Sequence, residues 1–245
     1  MHPSAEAYYD PDYAPPEAEG PRMKKRGPLR FLLLGAGGLL LLNLLLVAPL
    51  RWVDPPTTSF ILQDKRAAEK WLWDHWTPLE SISPHLPLAV IAAEDQKFPH
   101  HHGIDFEAIQ KALDEKRGRR RGASTISQQL AKNLYLWSGR SMVRKGIEAW
   151  MAVLIEFTWS KARIMEVYLN TVEFGPGTYG VASASTRFFA RSPKQLTPRH
   201  AALLAAVLPS PKRMSAQAPS AYVNQRASEI QSWMVKLGGK RYMPW

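Results

Sequence analysis

The sequence predicts a mainly α-helical head carried behind one transmembrane helix, and three observations lead there. Phe31 to Leu50 is an uncharged apolar run of twenty residues, long enough at about 1.5 Å per residue to cross roughly 30 Å of hydrocarbon. Beyond it, capping residues recur ahead of apolar positions spaced three and four apart, the signature of amphipathic helices. No alternating apolar pattern of similar strength and no internal repeat appears, so the head is read as mainly α.

Residues 1–30 read as a disordered tail with a basic flank. Glu6, Asp10, Asp12, Glu17 and Glu19, interrupted by prolines, bury too little apolar surface to order themselves. Arg22, Lys24, Lys25, Arg26 and Arg30 then precede the span at 31–50, against Arg51 just after it. The positive-inside bias therefore places the N-terminus in the cytoplasm and the head outside the cytoplasmic membrane. A cleaved signal peptide has a shorter apolar core and a small-x-small site, which Val47-Ala48-Pro49-Leu50-Arg51 does not supply. Residues 51–82 read as a linker and membrane-proximal segment. Asp54-Pro55-Pro56-Thr57-Thr58 is a stiff exit, and Trp71, Trp73 and Trp76 suit either the lipid head-group level or core packing.

The head is assigned to 83–245. Ser83-Pro84 starts a helix that runs to Phe98, a second spans Asp105 to Lys116, and Thr125 with Gln128 has capping-box spacing for a third reaching Leu136. Met142 to Trp159, Lys161 to Asn170 capped by Ser160, Tyr179 to Ala190, Pro198 to Leu208 capped by Thr197, and Ala221 to Leu237 complete the set. At 245 residues and 45% hydrophobic content there is enough apolar material for one packed head. The chain has no cysteine, which excludes a disulfide framework and a cysteine metal site. A net charge of +11, with Lys116, Arg117, Arg119, Arg120 and Arg121 clustered, indicates either an anionic partner or a solvated loop. Anionic lipid is the expected partner of an outward-facing anchored head, and nucleic acid is not.

Two acids carry the chemical signal. Glu94 opens Glu94-Asp95-Gln96-Lys97-Phe98-Pro99-His100-His101-His102-Gly103 near a helix C-terminus, where burial and the negative end of the dipole favour a general base. Glu148 follows Arg144 and Lys145 on one helix face. Between them Gly122 to Asn133 offers Ser124 and Thr125 at a helix start, with Gln129, Lys132 and Asn133 beyond. That start suits a phosphate cradle or simply a well-capped helix. Three consecutive histidines in a loop, with no cysteine partner, do not make a zinc site.

These blocks resemble the monofunctional biosynthetic peptidoglycan transglycosylases of glycosyltransferase family 51, which also supply the first domain of bifunctional penicillin-binding proteins. Glu94–Gly103, Gly122–Asn133, Arg144-Lys145 with Glu148, Ala152 and Glu156, Lys161–Asn170 with Glu173, Gly175 and Gly180, and Leu203–Arg213 match in order, covering the head. The resemblance implies a lysozyme-like helical fold and an enzyme that polymerises lipid II into β-1,4-linked glycan, with inversion and release of undecaprenyl pyrophosphate. Glu94 then corresponds to the general base. Glu148 corresponds to a second acid that assists pyrophosphate departure, directly or through a divalent cation (Mg or Mn); no organic cofactor is implied. Ser124, Thr125, Gln129, Lys132, Arg140 and Lys145 match cleft positions, Asn133 and Arg144 belong to the same blocks, and Asp95, Phe98 and His101 match positions that shape the site. Lipid II, the growing glycan, membrane lipid and cell-wall synthesis or division proteins are the partners implied. Ala123 and His200 depart from the usual glycine and acid. No Ser-x-x-Lys occurs, so transpeptidase activity is not expected. A membrane-anchored muramidase or lytic transglycosylase, or a non-catalytic wall scaffold, are the competing readings.

Overall fold

The computed structural model describes residues 11, 28–67, 70–114, 124–139, 141–243 and 245; most of the acidic tail, the 116–121 basic cluster, Ala123 and Arg140 lie outside the described residues. Two compact units result, 1–40 and 41–245.

Helix α1 (Pro28–Val47) carries the apolar run, three residues ahead of the start expected from the sequence. Many of its leucines are exposed, Leu32 at 69% and Leu45 at 63%, which fits a helix whose solvent is hydrocarbon. Within the second unit, Val47 is buried and its carbonyl accepts a 3.0 Å hydrogen bond from Trp159 Nε1. Arg163 clamps the next turn, donating to the carbonyls of Leu50 and Val53 and to Asp54.

Residues 51–82 are wall rather than linker. Helix α2 (Ser59–Gln63) is capped by Thr58, and Ile61, Ala67, Leu72 and Tyr179 share a small apolar cluster. Asn170 exchanges two 2.9 Å bonds with the backbone of Thr77, and Glu166 accepts from the Leu79 N–H. The tryptophans divide: Trp71 and Trp73 stay exposed and meet edge-to-face, whereas Trp76 packs into the core beneath the Arg163 guanidinium. Asp64 anchors this wall to the far side of the head through Tyr179 Oη and Lys212 Nζ, both 3.0 Å away.

Helix α3 (His85–Glu94) is apolar on every side and buried from Leu86 to Ala92. Such a helix belongs in the centre of a fold, and it packs against α9 (Pro198–Val207) and α10 (Ala221–Lys236). It differs from the expectation at both ends. The Ser83 hydroxyl donates to the Leu196 carbonyl instead of capping, and the helix stops at Glu94, where Asp95 leaves the helical conformation. Helix α4 (Phe106–Asp114) starts at Asp105, whose carboxylate accepts from the Ala108 N–H. Capping residues behave as the sequence predicts in α5 (Ile126–Tyr135, Thr125 with Gln128) and α7 (Lys161–Thr171, Ser160), and Ser141, which the sequence reading did not single out, caps α6 (Met142–Thr158).

One hairpin escapes the helical expectation: β1 (Glu173–Gly175) pairs antiparallel with β2 (Thr178–Tyr179). Strands this short carry no periodic signal, but the glycine between them is legible afterwards. Gly177 has φ +66°, and a Cβ there would lie 2.0 Å from the Arg66 carbonyl oxygen. Helix α8 (Val181–Phe189) follows, then α9 behind Thr197 and α10 behind Ser220. His200 departs from the acid usual in the resembling family, yet its Nδ1 faces the Thr197 N–H at 3.5 Å and so fills the capping-box role of that acid.

Hydrogen bonds from the Arg66 backbone, Lys212 and Tyr179 overcome the opposing effect of burial and pull the Asp64 pKa from 3.8 down to about 2. A depressed folded-state pKa contributes stability above the unfolded value that disappears as pH falls through the folded one. Urea unfolding of Asp64→Asn is therefore expected to show a shallower loss of stability than the parent between about pH 4 and pH 2.

Candidate active site

The site is built where α3 ends on α5. Glu94, the last residue of α3, leaves the core with its side chain 13% exposed. Gln129 Nε2 donates to Glu94 Oε2 at 2.8 Å, and Tyr168 Oη on α7 donates to Gln129 Oε1 at 2.9 Å, so the amide is oriented from behind. Burial raises the Glu94 pKa, and the bond from Gln129 together with Arg226 and Lys132 holds part of that rise back. Arg226 on α10 stands 3.9 Å from Glu94 Oε1, a contribution from the last helix that the sequence did not single out. Only its place on the inward face of an amphipathic helix offers a signal, and that does not distinguish it from an ordinary arginine.

Glu148 lies on the inward face of α6, 2% exposed. Arg144 Nη1 reaches one of its oxygens at 2.9 Å and Lys145 Nζ the other at 2.5 Å, while the same ammonium donates to Ser124 Oγ at 2.7 Å. Lys132, one turn beyond Gln129 on α5, is the shared neighbour of the two acids. Its ammonium interacts electrostatically with Glu94 and Glu148, repels Arg144 and Lys145, and lies 5.2 Å over the Phe60 ring. Burial lowers the Lys132 pKa. Thus the surroundings of Lys132 join a carboxylate suited to accept a proton to a group of cations suited to hold an anion. Arg144 and Arg226 each keep a buried Nε–H without a hydrogen-bond partner among the described residues, one beside each acid.

At Ser124 and Thr125 the structure shows the well-capped helix start, one of the two readings the sequence left open. The Thr125 N–H donates to Gln128 Oε1, its hydroxyl donates to the Gly103 carbonyl at 2.6 Å, and the Ile126 N–H donates to Asp95 Oδ2 at 3.0 Å. The anion at the start of α5 is the protein's own Asp95. That carboxylate also receives His101 Nε2 at 2.8 Å, while His101 Nδ1 accepts from the Gly103 N–H, which assigns the tautomer. Phe98 is fully buried against His101 and Trp245 beneath the Lys161 ammonium, and Asn133 is buried on α5. Asp95, Phe98, His101 and Thr125 therefore brace the loop that presents Glu94. A buried pair beneath them, Glu156 with Lys161 at 2.7 Å and Ser127 at 2.5 Å, ties that loop to α5 and α6. A separate cavity of about 430 Å³ beside α8 is lined by Leu72, His75, Asn170, Tyr179, Ser183 and Arg187, and by neither acid.

The donor set does not fit a divalent cation held by the protein. Both Glu148 oxygens are taken by cationic side chains, and no group of three His, Asp or Glu gathers among the described residues.

A sequence model of the family described as Transglycosylase matches residues 63–235, the span that contains both acids and all their partners. The chain belongs to the transglycosylase family. It is 46% identical over 237 residues to the biosynthetic peptidoglycan transglycosylase of Xanthomonas campestris pv. campestris (strain B100), covering 93% of this chain and 95% of that one. The protein of the same name from Stutzerimonas stutzeri (strain A1501) is 50% identical over 228 residues, 88% of this chain and 93% of its own. That from Pseudomonas syringae pv. syringae (strain B728a) is 49% identical over 210 residues. In this transglycosylase the family match begins at Gln63, inside the segment read from sequence as linker, in agreement with the packing of 59–82 onto the head.

Replacing Arg226 by Met removes a cation that favours the ionised Glu94. The Glu94 carboxyl is expected to titrate at higher pH in Arg226→Met than in the parent, as read by carbon NMR of labelled glutamate, and an unmoved titration counts against the pairing.

Proposed function

We propose that this chain is a peptidoglycan glycosyltransferase that polymerises lipid II at the outer face of the cytoplasmic membrane, anchored by α1 with its N-terminus in the cytoplasm. The observation that carries the reading is the coupling of Glu94 and Glu148 through Lys132, with Arg144 and Lys145 completing a cationic group beside a half-buried base. Such a site matches a reaction that removes a proton at one end and releases a doubly phosphorylated anion at the other.

Glu94 takes the proton of the acceptor sugar's 4-hydroxyl as that oxygen attacks the anomeric carbon of the donor chain. A new C–O bond forms opposite the breaking bond to pyrophosphate, so an α-linked donor gives a β-1,4 link, and the pyrophosphate leaves with its electron pair. Gln129 and Tyr168 keep the Glu94 carboxylate aimed. Lys132, Arg144 and Lys145 hold the departing anion, and Glu148 keeps the latter two cations extended towards it. No water is activated, which separates this site from a muramidase, whose second carboxylate faces sugar or water rather than two cations.

The test offers purified protein labelled lipid II or finished glycan. Consumption of lipid II with growth of strands is expected, and cleavage of glycan without strand growth overturns the reading. Glu94→Gln is expected to lower kcat roughly a hundred- to ten-thousand-fold, the usual worth of a general base. Because the base must be ionised and its pKa is raised, activity should climb with pH through a midpoint above the ordinary glutamate range. Lys132 must be protonated and its pKa is lowered, so activity should fall again below the ordinary lysine range, and Lys132→Arg should abolish that second limb.

A further inference from the structure

Asp95 ties the loop that follows Glu94 to the start of α5, and a second group of contacts holds the same loop from residues 239–245. Helix α10 ends at Lys236, after which Gly238 and Gly239 take φ +92° and +67° and turn the chain back. A 3₁₀ turn, Gly239–Tyr242, then packs against both α3 and α10. The Tyr242 hydroxyl donates to the Gln96 carbonyl at 2.5 Å, the one hydrogen bond that carbonyl receives among the described residues. The Tyr242 ring meets His100 edge-on at 5.8 Å, and Trp245 meets the fully buried Phe98 edge-on at 6.2 Å.

The place of these contacts in the chain gives them their consequence. Glu94 stands two residues before Gln96 and four before Phe98. Gln96 is held at both ends, since its side-chain amide donates to the Ala92 carbonyl in the last turn of α3 while its own carbonyl accepts from Tyr242. A hydrogen bond to a main-chain carbonyl fixes backbone, and the backbone here carries the Glu94 carboxylate to Gln129. Arg226, earlier on α10, faces that carboxylate from the same arm of the chain.

We propose that Tyr242 and Trp245 are positioning residues for the proton-accepting carboxylate, the segment after α10 clasping the Gln96–His100 loop so that Glu94 stays aimed. Resting on the glycosyltransferase reading, the clasp acts on the chemical step and not on the hold of the pyrophosphate, whose cations Lys132, Arg144 and Lys145 belong to α5 and α6. A reacting group misplaced by about 1 Å can lose roughly a hundredfold in rate. A carboxylate freed from its enclosed place also regains water, so the Glu94 pKa that burial raises returns towards the ordinary glutamate range.

Tyr242→Phe keeps the ring and deletes only the donor to Gln96. In the full chain it is expected to lower kcat for lipid II roughly tenfold, to leave KM within about twofold, and to move the ascending limb of the pH profile to lower pH. Trp245→Ala should do the same, whereas Trp245→Phe, which keeps an aromatic ring for Phe98, should restore most of the parent's kcat. Parent kcat with an unmoved limb in Tyr242→Phe or in Trp245→Ala overturns the proposal, and so does a loss confined to KM. Carbon NMR of labelled glutamate follows Glu94 without turnover. Its titration is expected at lower pH in Tyr242→Phe, and a titration identical to the parent's overturns the clasp. A parent protein that makes no strands removes the polymerase reading, and the NMR titration then decides the clasp by itself.

Discussion

The Asp95 carboxylate is the joint on which the site depends. It follows Glu94 directly, and its oxygens accept from His101 Nε2 and from the Ile126 N–H at the start of α5. A carboxylate at a helix N-terminus is favoured by the dipole and satisfies a backbone donor that would otherwise be buried alone. The end of α3 is thereby locked to the beginning of α5. With those ends fixed, Glu94 meets Gln129 one turn into α5, and Lys132 lies one turn further.

Around that joint the head carries an unusual load of enclosed charge, and each charge is answered. Glu156 has Lys161 and Ser127; Glu148 has Arg144 and Lys145; Asp64 has Lys212 and Tyr179. Buried ions are costly unless paired and hydrogen-bonded, so such groups bind elements in a unique register more than they add stability. Gly103 shows how tight that register is. With φ +94°, a Cβ there would come within 3.0 Å of the Ala152 carbonyl on α6. Glu94 is the exception, held by an amide and a distant guanidinium rather than a full ion pair, a setting that suits the proton-accepting role we propose for it.

Helix starts were read well because caps are local chemistry: Thr125, Ser160 and Thr197 satisfy N–H groups within their own first turn. The hairpin at 173–179 and the packing of 59–82 were missed, since both depend on partners far along the chain, Arg66 with Gly177 and Thr77 with Asn170. The choice between a phosphate cradle and a capped helix at Ser124–Thr125 lay beyond local reading for the same reason: the acceptor that claims the Ile126 N–H is Asp95, thirty-one positions earlier.

The sequence by itself determined the anchor-length apolar run, the helical character of the head and the order of its helices, because periodicity, capping and motif spacing all act within a few residues. Only the tertiary structure decided which polar groups are spent on bracing and which remain for chemistry. It turned Asp95 and Thr125 inward and brought Arg226 from the last helix to Glu94. Long-range contacts settle those assignments: a donor buried beside one acceptor is satisfied by it, whatever other role its neighbours in the chain would have allowed.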